Sequence, residues 1–219
     1  MAGPVVLSPA SPYELLEYIV AYQKYPTTLL VCSPREDFFA SLLHDVRSRL
    51  QPVDDTHPPL SLLSSPLYQQ AVARHIRILF VPTVTHLRSF LAVFDPQHSK
   101  VAPPPGASSI STGQRPPLLL VYGFLDLHRD SSEWSAQGIS NTSAALVDGA
   151  RRVGFRAAVV EPRESTSYDS FEALLANAAP VLSGSGGRRD DGGWTGRQIE
   201  VRRILGRWFR FQTGQWDVE

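Results

Sequence analysis

Apolar residues along this chain fall into two rhythms. Short, mostly apolar runs occur at residues 27–32 (TTLLVC), 76–81 (IRILFV), 118–124 (LLLVYGF) and 156–160 (RAAVV). Runs of this length, bounded by turn residues, predict strands buried on both faces. Between them apolar positions recur every three or four residues. Residues 12–23 predict a helix with Ser11 as N-cap, Pro12 at its first position and an apolar stripe of Leu15, Leu16, Ile19 and Val20. Residues 36–50 predict a second, with Phe38, Phe39, Leu42, Leu43, Val46 and Leu50 on one face. Further helices are predicted over 67–75, over 85–94 with Thr83 or Thr85 as cap, over 141–153 with Gly154 terminating it, and over 171–178. Residues 60–63 read as a short strand. Residues 198–212 alternate in places around Gly206 and read as one bent strand or a terminal hairpin.

Strands alternating with helices, each connection long enough to cross over, predict an α/β domain. Its sheet is expected to be twisted and mostly parallel, with helices on both faces. One domain over 1–219 is expected, carrying a Pro/Ser-rich insertion at 95–117 and a Gly-rich loop at 183–193. Ligands of such sheets bind beyond the carboxyl ends of strands, so the loops after Cys32, Val81, Phe124 and Val160 are the places to look.

After the 27–32 run comes Ser33-Pro34-Arg35-Glu36-Asp37-Phe38. A phosphate cradle needs glycines that expose backbone N–H groups, and a lysine. Here there is neither, Pro34 removes a donor, and the two acids suit an ordinary helix start, with Ser33 as its cap. After Leu118–Val121 a strand-end acid would hold Mg²⁺ through water, but Tyr122 stands there and Asp126 comes later. A turn-capping role for Asp126 outweighs a displaced metal ligand. The six histidines show no ligand spacing, and Gly184-Ser185-Gly186 lacks the nucleophile-elbow arrangement. No catalytic residue, metal or cofactor is predicted.

Composition changes the picture in three ways. Lys+Arg and Asp+Glu both total 21, so no global field draws the chain to nucleic acid or membrane. The single cysteine, Cys32, excludes a disulfide framework and reads as a buried thiol. No apolar run approaches a membrane span and no basic segment precedes one, so a soluble intracellular protein is expected. The charge is uneven, however: Arg197, Arg202, Arg203, Arg207 and Arg210 stand among Trp208, Phe209 and Phe211, against one acid, Glu200. That mixture suits single-stranded nucleic acid, a protein partner, or a strand with aromatics inward and arginines in water.

The order LLLVY, GFLDLHR, DSSEWSAQG, ISNTSAALVDGARRVGF, RAAVV over 118–160 resembles the core of RecA-like recombinases and their paralogues. The 27–50 strand–helix unit matches the family's Walker A unit in position, and 76–81 with its helix fits between. Tyr122 takes the Walker B acid position, with Asp126 displaced from it. Ser33, Pro34 and Arg35 replace the glycine-lysine loop, and no glutamate follows the 76–81 strand. The resemblance therefore implies a RecA-like fold without ATPase chemistry. It implies a nuclear accessory subunit of the Shu-complex kind in homologous recombination and DNA repair. The partner would be a SWIM-domain protein or recombinase paralogue, and Arg202, Arg203, Arg207, Trp208 and Arg210 would meet that partner or, weakly, single-stranded DNA. An Elongator-type ring subunit in tRNA modification is the alternative, and a cryptic ATP-binding protein using Asp126 and Arg35 the third.

Overall fold

The computed structural model describes residues 3–22, 26–50, 70, 73–99, 101, 116–129, 131–163, 169–182 and 197–212. Within them lies an α/β domain whose six-stranded central sheet is parallel throughout. In chain order the main elements are β1 (Val5–Leu7), α1 (Pro12–Tyr22), β2 (Thr27–Val31), α2 (Arg35–Leu50), β3 (Ile76–Phe80) and α3 (Val84–Ala92). They continue with β4 (Leu118–Tyr122), α4 (Phe124–Arg129), α5 (Ala136–Arg152), β5 (Arg156–Val160) and α6 (Asp169–Ala176). The last are β6 (Ala178–Pro180), β7 (Gln198–Glu200), α7 (Val201–Leu205) and β8 (Arg210–Gln212). The sheet order is β3-β2-β4-β5-β1-β8, while β6 and β7 form a separate antiparallel pair.

Strands β1, β2, β4 and β5 are buried because each face carries helices, whereas β3, expected to be buried on both faces, is an edge strand only partly covered, with Ile78 41% exposed. Leu118, Leu120 and Tyr122 of β4 join one core with Leu15 and Ile19 of α1 and Phe38 of α2. Leu119 and Val121 join the other, with Leu87 and Leu91 of α3, Ile139 and Leu146 of α5, and Leu174 and Leu175 of α6. Connections leaving β1 and β2 cover the first face, and those leaving β3, β4 and β5 cover the second. That reversal follows from right-handed crossovers running in opposite directions along the sheet. It opens crevices beyond the carboxyl ends of β2 and β4 and of β5 and β1, two switch points of the kind where such sheets bind ligands.

The predicted strands over 27–32, 76–81, 118–124 and 156–160 are present within a residue or two. Ser11 caps α1 as expected: its Oγ accepts from Glu14 N at 3.5 Å while Ser11 N donates to Glu14 Oε2 at 3.0 Å, a capping box. Thr83 caps α3 through His86 N, and Gly154 takes φ +76° just after Val153, the cap of α5. The expected strand at 60–63, most of the helix at 67–75, the loop at 183–193 and 102–115 of the insertion fall outside the described residues. At 96–98 the insertion begins with a 3-10 turn capped by Asp95.

Several expectations need correction. Residues 5–7, for which no element is predicted, form β1, paired with β5 and β8. Residues 198–212 are not one strand or hairpin: Val201, Ile204 and Leu205, all buried, give α7 a helical stripe. Helix α5 starts five residues earlier than predicted, because Ser135 caps it by accepting from Gly138 N at 3.0 Å. The predicted apolar face of α2 is only partly covered. Phe38 is buried, but Phe39 and Leu43 are 41% and 53% exposed.

Candidate functional site

Beyond the carboxyl ends of the strands, four loops are stapled together. The loop after β1 runs Ser8-Pro9-Ala10-Ser11. Ala10 N donates to Glu161 O at 3.1 Å, and Ser11 N is held in the capping box. Pro9 and Pro12 have no N–H to offer. The carbonyls are engaged too: Ala10 O accepts from the Tyr122 hydroxyl at 2.9 Å and from Arg163 N at 3.1 Å, and Pro9 O accepts from Arg163 Nη2 at 3.0 Å. A phosphate cradle needs free, converging N–H groups. From Pro9 to Pro12 every backbone N–H is absent or already bonded.

Since β1 precedes β2, the first strand–turn–helix unit is β1–α1, and Ser33, Pro34 and Arg35 follow the second strand rather than the first. Ser33 is half-buried and lines a cleft of about 410 Å³ with Ser11, Asp37, His44, Tyr122 and Arg163. This cleft opens at the β2–β4 switch point. Pro34 and Arg35 are exposed, and the Arg35 guanidinium lies 5.4 Å from the Phe39 ring. Tyr122 is buried, its ring edge-on to Phe38 at 5.9 Å. Burial above all, then nearby Asp45, pushes its phenol well up. Cys32 is the buried thiol expected, and burial pushes it up as well, so it carries no nucleophilic thiolate.

Asp126 does not share the Ser33 cleft. Gly123 turns the chain sharply out of β4 at φ +80°, with its N–H on Val160 O at 2.9 Å. Asp126 then falls in the first turn of α4 and pairs with Arg129 at 3.5 Å. With Arg129, Glu161, Phe171, Leu174 and Asn177 it lines a separate cavity of about 360 Å³. The structure thus brings Ser33 and Tyr122 together and leaves Arg35 and Asp126 apart.

Sequence reasoning passed over Glu161. It stands between the apolar run of β5 and Pro162, and is 2% exposed. Its Oε1 accepts from Leu125 N at 2.9 Å, while Oε2 has no hydrogen-bond partner in the structure. Burial, then the neighbouring Asp126 carboxylate, pushes its pKa up to about 8. The only warning in the sequence was an acid directly after a strand. His128, buried under α5, was also passed over. Its Nδ1 donates to Phe124 O at 2.7 Å and its Nε2 meets Thr142 Oγ1 at 3.0 Å. Burial lowers its pKa, so the ring is neutral there. Arg88 joins this network through Thr142 Oγ1 at 2.8 Å, Gly138 O at 2.8 Å and Glu133 Oε2 at 2.6 Å. Through Arg88, Thr142 and His128 the network ties α3, α5 and α4 together, a structural task.

The arginine-rich end lies elsewhere. Arg210 pairs in register with Val5, the first residue of β1, so this surface sits at the amino edge of the sheet. Phe209 is buried, and Trp208 Nε1 donates to Ser140 Oγ at 3.0 Å. Arg202 pairs with Glu172 and lies 5.2 Å from the Phe211 ring. Arg203, Arg207 and Arg210 are exposed. The aromatics therefore turn inward, while Arg197, Arg203, Arg207 and Arg210 face solvent.

Among the described residues no helix is long and apolar enough to cross a membrane, and no group of three or more His, Cys, Asp or Glu is placed to hold a metal ion. No protein-family model matches the chain, and no curated protein matches it.

Proposed function

We propose that this chain is a non-catalytic, RecA-like accessory subunit that supports homologous recombination in the nucleus through protein partners. The observation behind this reading is the loop after β1. A parallel domain of this class would bind phosphate there, yet from Pro9 to Pro12 the N–H groups are missing or bonded, and the Pro9 and Ala10 carbonyls are tied to Tyr122 and Arg163. A strand end built this way favours scaffold over hydrolase. Asp126 and Arg35, the pair a cryptic hydrolase would use, line no common cleft. The exposed Arg203, Arg207 and Arg210 supply a surface for a partner or, weakly, for single-stranded DNA.

Affinity purification of the full chain with identification of co-purifying proteins tests the reading. A SWIM-domain protein or a recombinase is the expected result. Recovery of Elongator subunits instead would move the chain to tRNA modification. Mg²⁺–ATP binding lost on Asp126→Asn would restore the nucleotide reading.

A further inference from the structure

The cavity between α4, the end of β5 and α6 has an unusual lining. A carboxyl group that is almost wholly buried is normally satisfied by hydrogen bonds at both oxygens. Glu161 is held by the Leu125 and Asp126 N–H groups at the start of α4, yet its Oε2 is left without a hydrogen-bond partner, and it lines a space of about 360 Å³. Cavities of this size hold small organic groups. Phe171, Leu174 and Pro162 give it apolar walls, and Asp126 adds a second acid, already paired with Arg129. We propose that this cavity binds a guanidinium or ammonium group carried on an aliphatic stem, with Glu161 and Asp126 as counter-charges and the apolar walls against the stem.

The charge balance favours such a ligand. With Glu161 protonated, Asp126 and Arg129 cancel and the lining is neutral. A cation entering the cavity displaces the Glu161 proton to solvent; the O–H bond breaks, and the carboxylate left behind matches the new positive charge. The other groups acting on Glu161 are Asp126 and Arg129 from α4, the Cys32 thiol beyond β2 and the Tyr122 phenol of β4. Thiol and phenol are both held neutral, and the lining residues of α6 (Phe171, Ala173 and Leu174) and Asn177 just after it do not titrate. An anion would meet Asp126 and a carboxyl with no countercharge to spare. The inference stands apart from the partner reading above.

Calorimetric titration of the full chain with agmatine, with N-acetyl-arginine amide and with neutral N-butylurea tests it. Agmatine should bind, releasing about one proton at pH 7 and tightening about tenfold per pH unit until the carboxyl ionises unaided, then levelling off. Glu161→Gln should weaken it at least tenfold and Asp126→Asn several-fold, with circular dichroism unchanged. Binding of the arginine amide as well would point to a basic side chain of a partner, and of agmatine alone to a free polyamine; both support the site. Failure of both cations at millimolar concentration, equal binding to Glu161→Gln, equal binding of butylurea, or tightening as pH falls would each overturn it.

Discussion

At Glu161 a single proton links the interior to solution pH. The ordinary value of the group is 4.5 and the folded value about 8, so between them the folded chain holds a proton that the unfolded chain has lost. Stability is fully present below pH 4.5 and falls as pH rises toward 8. Glu161→Gln keeps the shape and removes the titration. The variant should therefore gain on the parent across that window, by a few kcal/mol near pH 8, as urea melts at pH 5, 6.5 and 8 would show. An unchanged difference across the three pH values would mean that Glu161 is ionised in the folded state. Little of this was visible in the residues alone. An acid between RAAVV and a proline looks like a strand end reaching water, and only the placement of α4 over it makes it buried. Asp126 was singled out instead because it follows the strongest strand in the chain.

The elements show which signals are legible and why. Strands β2, β3, β4 and β5 stood out as mostly apolar runs of five to seven residues. Strand β1 has three residues between prolines, too short for any period to register. In α7 the helical spacing of Val201, Ile204 and Leu205 was present but was masked by the alternation of Trp208 to Phe211, which belongs to the next turn and strand. Helix α4, two turns long, has the same difficulty. The start of α5 rests on tertiary packing as well as on its Ser135 cap. A Cβ on Gly138 would lie well inside contact distance of the Glu133 carbonyl oxygen, part of the backbone that cannot step aside. Gly138→Ala should destabilise the domain by about 1–3 kcal/mol, and more if the Arg88 contacts to Gly138 O and Glu133 are also lost. Thermal melts beside Gly154→Ala, where no atom lies within 4 Å and only a positive φ resists, separate crowding from backbone strain.

Taken whole, the molecule has two working ends. The carboxyl end of the sheet carries the Ser33 cleft and the Glu161 cavity, and the amino edge carries the exposed arginines. The residue set named from sequence at the second end divides accordingly. Arg202 and Trp208 are tied to Glu172, Phe211 and Ser140, so replacing them costs packing. Arg203, Arg207 and Arg210 are exposed, and replacing the three together with Ser should leave the melting temperature within a few degrees. If single-stranded DNA is bound there, affinity should drop and the salt slope should flatten by about 2, near 0.7 for each lost phosphate contact. Fluorescence anisotropy across a salt series reads both. An unchanged slope would assign the surface to a protein partner.

The position of β1 also sets an order of events. Among the described residues its neighbours in the sheet are β5, which begins at Arg156, and β8, which begins at Arg210. A ribosome adding roughly 5–20 residues per second leaves this first strand unpaired for on the order of ten seconds or longer. Meanwhile β2, β3 and β4 can already assemble. The apolar Val5-Val6-Leu7 must wait beside a half-built sheet whose exposed edge is the place β5 will later take. Birth order and spatial order are thus opposed here, and a strand made before β2 to β5 is among the last to be secured.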